Sequence, residues 1–153
     1  EHGISSYGEL ESKLTAVSAR RDTAHAEIKR IESRSAELAL VMKHAGTYRQ
    51  LKPLYERYRK SNDKEKFLRG HESEIILFEA AARELKRLGA VPLPTTESMK
   101  TELANLSAEK ERLLAEYKAA RTEAQEYETV KQNVDALLAV PKEQEQQRRH
   151  ELE

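Results

Sequence analysis

Two kinds of side chain in this sequence have the types and spacing to do chemistry: five histidines, and a run of cations threaded with tyrosines. The histidines are His2, His25, His44, His71 and His150, and no two stand three or four residues apart. A metal centre needs several ligands converging on one point, and no His-x-x-x-His or cysteine pair is present to begin one. His71 and Glu74 share a helix face, which makes two ligands where three or four are required. The five glycines are isolated, so no loop cradles a phosphate. No Gly-x-Ser-x-Gly elbow is present, and carboxylates are spread too widely to single out an acid–base pair. The expectation is a chain with no catalytic residues, no metal and no cofactor.

The cations say more. The whole chain balances 27 basic against 27 acidic side chains, yet the balance is uneven. Residues 43–70 hold nine cations (Lys43, Arg49, Lys52, Arg57, Arg59, Lys60, Lys64, Lys66, Arg69) against Glu56, Asp63 and Glu65, a net +6, while residues 95–135 carry −3. Tyr48, Tyr55 and Tyr58 interleave with that run. Arg and Lys neutralise phosphates and aromatic rings stack on bases, so nucleic acid or an acidic partner is one reading. A plainer reading stands beside it: Tyr55 and Tyr58 fall at core spacing with Leu51 and Leu54, and the cations form a solvated face or pair with acids of the last helix. The candidate contact residues are Arg49, Arg57, Arg59, Lys60, Lys64 and Lys66, with Tyr48 as the most exposed aromatic.

The elements that must position these residues are helices. Leu, Ile, Val and Phe make up only about a fifth of the chain, whereas Ala, Glu, Lys, Leu and Arg exceed half, the composition of long helices and coiled coils. From Leu10 the steps alternate four and three through Leu14, Val17, Arg21, Ala24, Ile28, Ile31, Ser35, Leu38, Met42 and Ala45, an a/d seam. A second seam runs from Met99 through Leu103, Leu106, Lys110, Leu113, Tyr117, Ala120, Ala124, Tyr127, Lys131 and Val134 to Leu138. Gly46 reads as the stop of the first helix, Ser61, Asn62 and Asp63 as a turn offering N-caps, Thr95 as an N-cap, Gly89 as a C-terminal stop, and Pro141 as the end of the last helix. The expected helices are therefore about 8–45, 47–61, 63–88 and 96–139, the third turning Phe67, His71, Ile75, Phe78, Ala82 and Leu85 inward. They form a single elongated all-α domain over 10–140, between a flexible N-terminus (1–9) and a flexible tail (141–153) that ends in a tag junction at Leu152-Glu153. Length arithmetic folds them into a long antiparallel coiled-coil hairpin, with the two shorter helices thickening its tip into a small bundle. Pairing of the seams between two chains, giving a homodimer, satisfies the same pattern. Of the polar residues in the seams, which fix register more often than they do chemistry, Arg21 is expected to lie near Tyr127 and Glu128. No apolar run reaches the length of a membrane span and no cysteine is present, so a cytoplasmic location is the default.

Residues 47–81 also carry a resemblance. Thr47-Tyr48-Arg49, Tyr55, Tyr58-Arg59-Lys60, Lys66-Phe67 and His71 through Leu77 resemble a segment of relaxases, the mobilisation nucleases of integrative conjugative elements, especially those of Gram-positive bacteria. The likeness continues through Ala80-Ala81, Leu93-Pro94-Thr95, Leu114 through Tyr117 and Asn133-Val134-Asp135, and departs at Ser61-Asn62-Asp63, where the family pattern has Gly-Tyr. It spans roughly residues 10–140. In that family such a region lies C-terminal to a nicking domain, whose clustered histidines hold a metal and whose tyrosine attacks DNA. No such histidine cluster stands in this sequence, so none of its tyrosines takes over that role. The resemblance implies a fragment of a larger protein: a helical accessory region, meeting DNA near a transfer origin or proteins of the conjugation machinery through its basic tip. A coiled-coil interaction module without DNA contact is the alternative.

Overall fold

Each helix begins where a local side chain can satisfy the free backbone. In the computed structural model, which describes residues 6–151 with the side chains of 140–150 excepted, the chain forms three helices. They are α1 (Tyr7–Lys60), α2 (Lys64–Arg87) and α3 (Thr96–Glu151), with no strand among the described residues. Ser6 caps α1 by accepting from the Glu9 N–H, Asp63 caps α2 from the Lys66 N–H, and Thr95 caps α3 from the Ser98 N–H, each at 3.1 Å. At the far end of α2, Gly89 takes a φ of 70°. Its N–H donates to Lys86 O while that of Ala90 donates to Leu85 O, the paired bonds of a Schellman turn.

Two helix limits differ from the sequence expectation. Gly46 does not end the first helix, and the expected 8–45 and 47–61 segments are one element. Gly46 sits in open space in mid-helix, and the Thr47 hydroxyl donates back to Lys43 O. Pro53 lies inside α1 and removes one N–H, a cost of about 3 kcal/mol in a helix interior. The rings of Tyr48 and Tyr55, which flank it, both stack on Phe78 of α2 and offset that cost. The second limit is Pro141: α3 continues past it to Glu151, through a stretch of Glu, Gln, Lys and Arg with strong helix propensity. The flexible tail expected over 141–153 is thus helical as far as Glu151, while the tag junction at Leu152-Glu153 and the first five residues lie outside the described residues.

The chain divides into two compact units, one of Glu1–Lys29 with Lys110–Glu153 and the other of Arg30–Glu109. In the first, Leu10 and Val17 of α1 pack with Ala120, Ala124 and Tyr127 of α3, flanked by Leu14 and Val130. Sequence numbers run in opposite directions across this contact: Tyr7 bonds Asp135, Glu11 pairs with Lys131, Arg20 with Glu123, and His25 lies 5.8 Å from Tyr117. That register sets Arg21 opposite position 121, six residues (roughly 9 Å) from Tyr127. Arg21 instead pairs with its neighbour Asp22 at 3.1 Å, which corrects the expected partnership with Tyr127 and Glu128. Leu138, expected in the seam, is 62% exposed beside Leu137, because α1 begins at Tyr7, opposite Asp135.

In the second unit Ile31, Leu38, Val41 and Ala45 of α1 are buried, as are Ile75, Phe78, Ala81 and Leu85 of α2 and Met99 and Leu106 of α3. Val41 is buried where Met42 was expected, and Ala81 where Ala82 was. A helix of 3.6 residues per turn drifts out of a strict 3.5-residue repeat, and this moves the buried position by one. Arg34 holds Glu102 through two bonds of 2.7 and 3.2 Å, and Arg30 lies 3.7 Å from Glu109. No polar side chain is buried among the described residues, so apolar contact holds both units together.

Candidate basic and aromatic interface

The basic segment 43–70 belongs to the second unit, on the last five turns of α1 and the first two of α2. Its backbone bends once: His71 has φ −136° and ψ 25°, a break in α2 directly after Gly70, which itself weakens a helix. The Lys64–Gly70 stretch thus leaves the line of the remaining helix, and Phe67 reaches Tyr58 at 6.0 Å and His71 at 4.7 Å. His71 Nδ1 stands 3.5 Å from Glu74 Oε2 with no third ligand, and no group of three potential metal ligands occurs among the described residues.

The six cations named from the sequence divide by what they touch. Arg49 donates to Thr96 Oγ1 at 3.0 Å and to Pro94 O, tying α1 to the start of α3. Arg57 lies over the Phe67 ring, 5.7 Å from its centre. Arg59, Lys60, Lys64 and Lys66 are exposed. Among the described residues none of the nine cations of 43–70 pairs with a carboxylate, whereas Arg20, Arg21, Arg30, Arg34, Arg87, Arg112 and Lys131 all do. Of the plainer sequence reading, pairing with acids of the last helix is not observed for these nine among the described residues, while the exposure of Arg59, Lys60, Lys64 and Lys66 is what a solvated face shows.

Tyr48 is the clearest departure. Expected as the most exposed ring, it is half-buried and stacked on Phe78 at 4.8 Å, with Lys52 Nζ 5.8 Å from the centre of its ring. Phe78 is covered from another side by Tyr55 at 4.3 Å, and Tyr55 in turn meets Tyr58 at 5.9 Å. The core-spacing reading of Tyr55 and Tyr58 accounts for these contacts.

Beside this stack lies a surface that sequence reasoning missed. A groove of about 570 Å³ runs between α1 and α2, lined by Tyr48, Lys52, Tyr55, Glu56 and Arg59 on one side and Phe78, Glu79, Ala82 and Arg83 on the other. It adjoins a more apolar hollow of about 460 Å³ formed with Leu85, Lys86, Val91 and Leu93, and Tyr48 and Ala82 line both. Its walls come from three places in the chain, and no spacing rule joins them. The one available signal was the apolar Val91 and Leu93 on either side of Pro92 in the connector.

No helix among the described residues is long and apolar enough to cross a membrane. No protein-family model, curated protein or solved structure matches the chain.

Proposed function

We propose that this chain is a non-catalytic helical accessory region of a conjugative DNA-transfer relaxase, a docking arm that meets polyanionic partners through residues 43–70. Those partners are DNA near a transfer origin or acidic proteins of the transfer machinery. The observation that carries the reading is the row of exposed cations, Arg59, Lys60, Lys64 and Lys66 foremost, that form no ion pair with a carboxylate among the described residues. An unpaired basic surface attracts phosphates by releasing their counterions. The resemblance over residues 47–81 supplies the conjugative setting. The antiparallel coiled-coil packing suggested by the seams belongs to the same proposal, supported within each unit by the opposite-running contacts of α1 and α3. In this reading the helices are a frame and the cations are the contact.

Fluorescence anisotropy with labelled duplex and single-stranded DNA at about 50 mM salt tests it. Joint replacement R57E, R59E and K60E is expected to weaken binding at least tenfold, with a shallower salt dependence. Undiminished binding by that variant removes the reading. One further observation favours a second function, self-association without DNA: Leu137 and Leu138 stand 72% and 62% exposed on α3. Light scattering that shows concentration-dependent mass, abolished by L137S with L138S, together with no DNA binding, would select it.

A further inference from the structure

We propose that the basic segment binds the phosphate backbone of duplex DNA in preference to single strands. The inference rests on the polyanion reading above and names the form of the polyanion. Proteins grip single strands by stacking bases on bare aromatic faces, and the rings here are already occupied. Tyr48, Phe78, Tyr55, Tyr58 and Phe67 form one continuous row, with successive ring centres 4.8, 4.3, 5.9 and 6.0 Å apart. Cations close both ends: Lys52 Nζ lies 5.8 Å from the centre of the Tyr48 ring, and the Arg57 guanidinium 5.7 Å from that of Phe67. His71 takes a further place beside Phe67 at 4.7 Å. Phe78 is buried and the other four rings are half-buried. A base can stack only by breaking one of these contacts, so the row serves as a core, and Lys52 and Arg57 are partly engaged by it.

The same row positions the remaining cations. The Tyr58–Phe67 contact spans the turn between α1 and α2. Ser61 fixes that turn, its hydroxyl donating to Asp63 O at 3.1 Å and accepting from the Asp63 N–H at 3.2 Å. Arg59 and Lys60 at the end of α1, and Lys64 and Lys66 at the start of α2, thus stand at one corner. All four are exposed and none forms an ion pair among the described residues. Acids stand among them. Glu56 shares a hollow with Arg59 and Lys60, Asp63 caps α2 and Glu65 is exposed; the net +6 of residues 43–70 counts all three. On the facing wall of the groove Glu79 and Arg83 cancel. This mixture of signs gives an acidic peptide no fixed pattern to match. Attraction to a phosphate lattice needs no pattern, only a net excess of exposed cations, and it grows with the density of phosphates. A duplex carries one charge per about 1.7 Å of its axis, about twice the density of either strand alone.

The experiment is an anisotropy titration of the full chain with three fluorescein-labelled probes of about 20 nucleotides at about 50 mM salt. They are a mixed-sequence duplex, one of its strands, and a strand of the same length that is abasic throughout. The expected result is duplex affinity at least threefold above that of the single strand, with the abasic strand bound within threefold of the single strand. Duplex affinity should fall on the order of 100-fold between about 50 and 200 mM salt, as roughly four phosphate contacts require. R59Q with K60Q removes two of them and should lower the slope of log affinity against log salt by about 2. Both sites are exposed, and circular dichroism checks that helix content is retained. A duplex preference below threefold overturns the assignment. So does an abasic strand bound more than threefold below the single strand, which would put bases on the rings. Those outcomes leave the basic-segment reading standing, whereas R59Q with K60Q leaving DNA affinity intact overturns both. If no probe binds, the duplex assignment falls, and a titration with polyglutamate decides the rest: binding keeps the acidic-protein half of the reading, and its absence overturns that too.

Discussion

Tyr7 donates its hydroxyl proton to Asp135 at 2.9 Å, and that bond, with the nearby carboxylate charge, pushes the phenol up to about 12. The folded value lies above the ordinary one near 10, so the contribution of the bond is complete below that pH and is lost as pH climbs through 12. Absorbance titration of the tyrosines should contain a component near pH 12 that Y7F removes and D135N returns toward the ordinary range. At the acid end the sign reverses. Arg87, bonded to Glu84 at 2.7 and 3.0 Å, holds the Glu84 carboxyl below its usual range. That pair contributes above the unfolded carboxylate value of about 4.3 and fades as pH falls through the lower folded one. Carboxyl NMR should therefore show the Glu84 midpoint rising in R87A.

Within the elements, local signals were legible and long-range ones were not. Thr95 and Gly89 act through bonds to backbone three residues away, so residue type and position suffice to identify them, whereas Asp63, one of three candidate caps with Ser61 and Asn62, is singled out by its bond from the Lys66 N–H. Gly46 and Pro53 carry equally strong local signals, and tertiary contact overrides them because Tyr48 and Tyr55 hold that part of α1 against Phe78. The partner of Arg21 was illegible for another reason: register across two helices depends on where both begin, and six residues of error look the same in sequence. The candidate surface divides likewise. Its cations cluster in 28 consecutive residues and are visible in the charge count, while the groove needs Tyr48, Ala82 and Val91 from separate stretches of chain. Two substitutions check this account. G46A, in open mid-helix, should stabilise the protein by about 1 kcal/mol in urea denaturation, since no turn requires glycine there. F78A removes the ring on which Tyr48 and Tyr55 stack and should cost about 3–5 kcal/mol.

At the scale of the whole molecule, charge and apolar contact have separate tasks. Every ion pair described lies at least partly in solvent, where each contributes about 0–1 kcal/mol. Raising salt from about 0.05 to 0.5 M should shift the unfolding free energy by no more than about 1 kcal/mol, while binding of any polyanion should collapse over the same range. Stability rests instead on the fit of small against large side chains, as where Ala120 and Ala124 meet Leu10, Val17 and Tyr127. A124L should overfill that contact and cost about 1–3 kcal/mol. The absence of buried polar groups among the described residues has an evolutionary consequence. With no internal hydrogen-bond network to preserve, most of the outward-facing sequence is nearly neutral to exchange. Drift would accumulate there quickly, and a lineage could keep this fold through its alanines and leucines long after its charged surface had been rewritten.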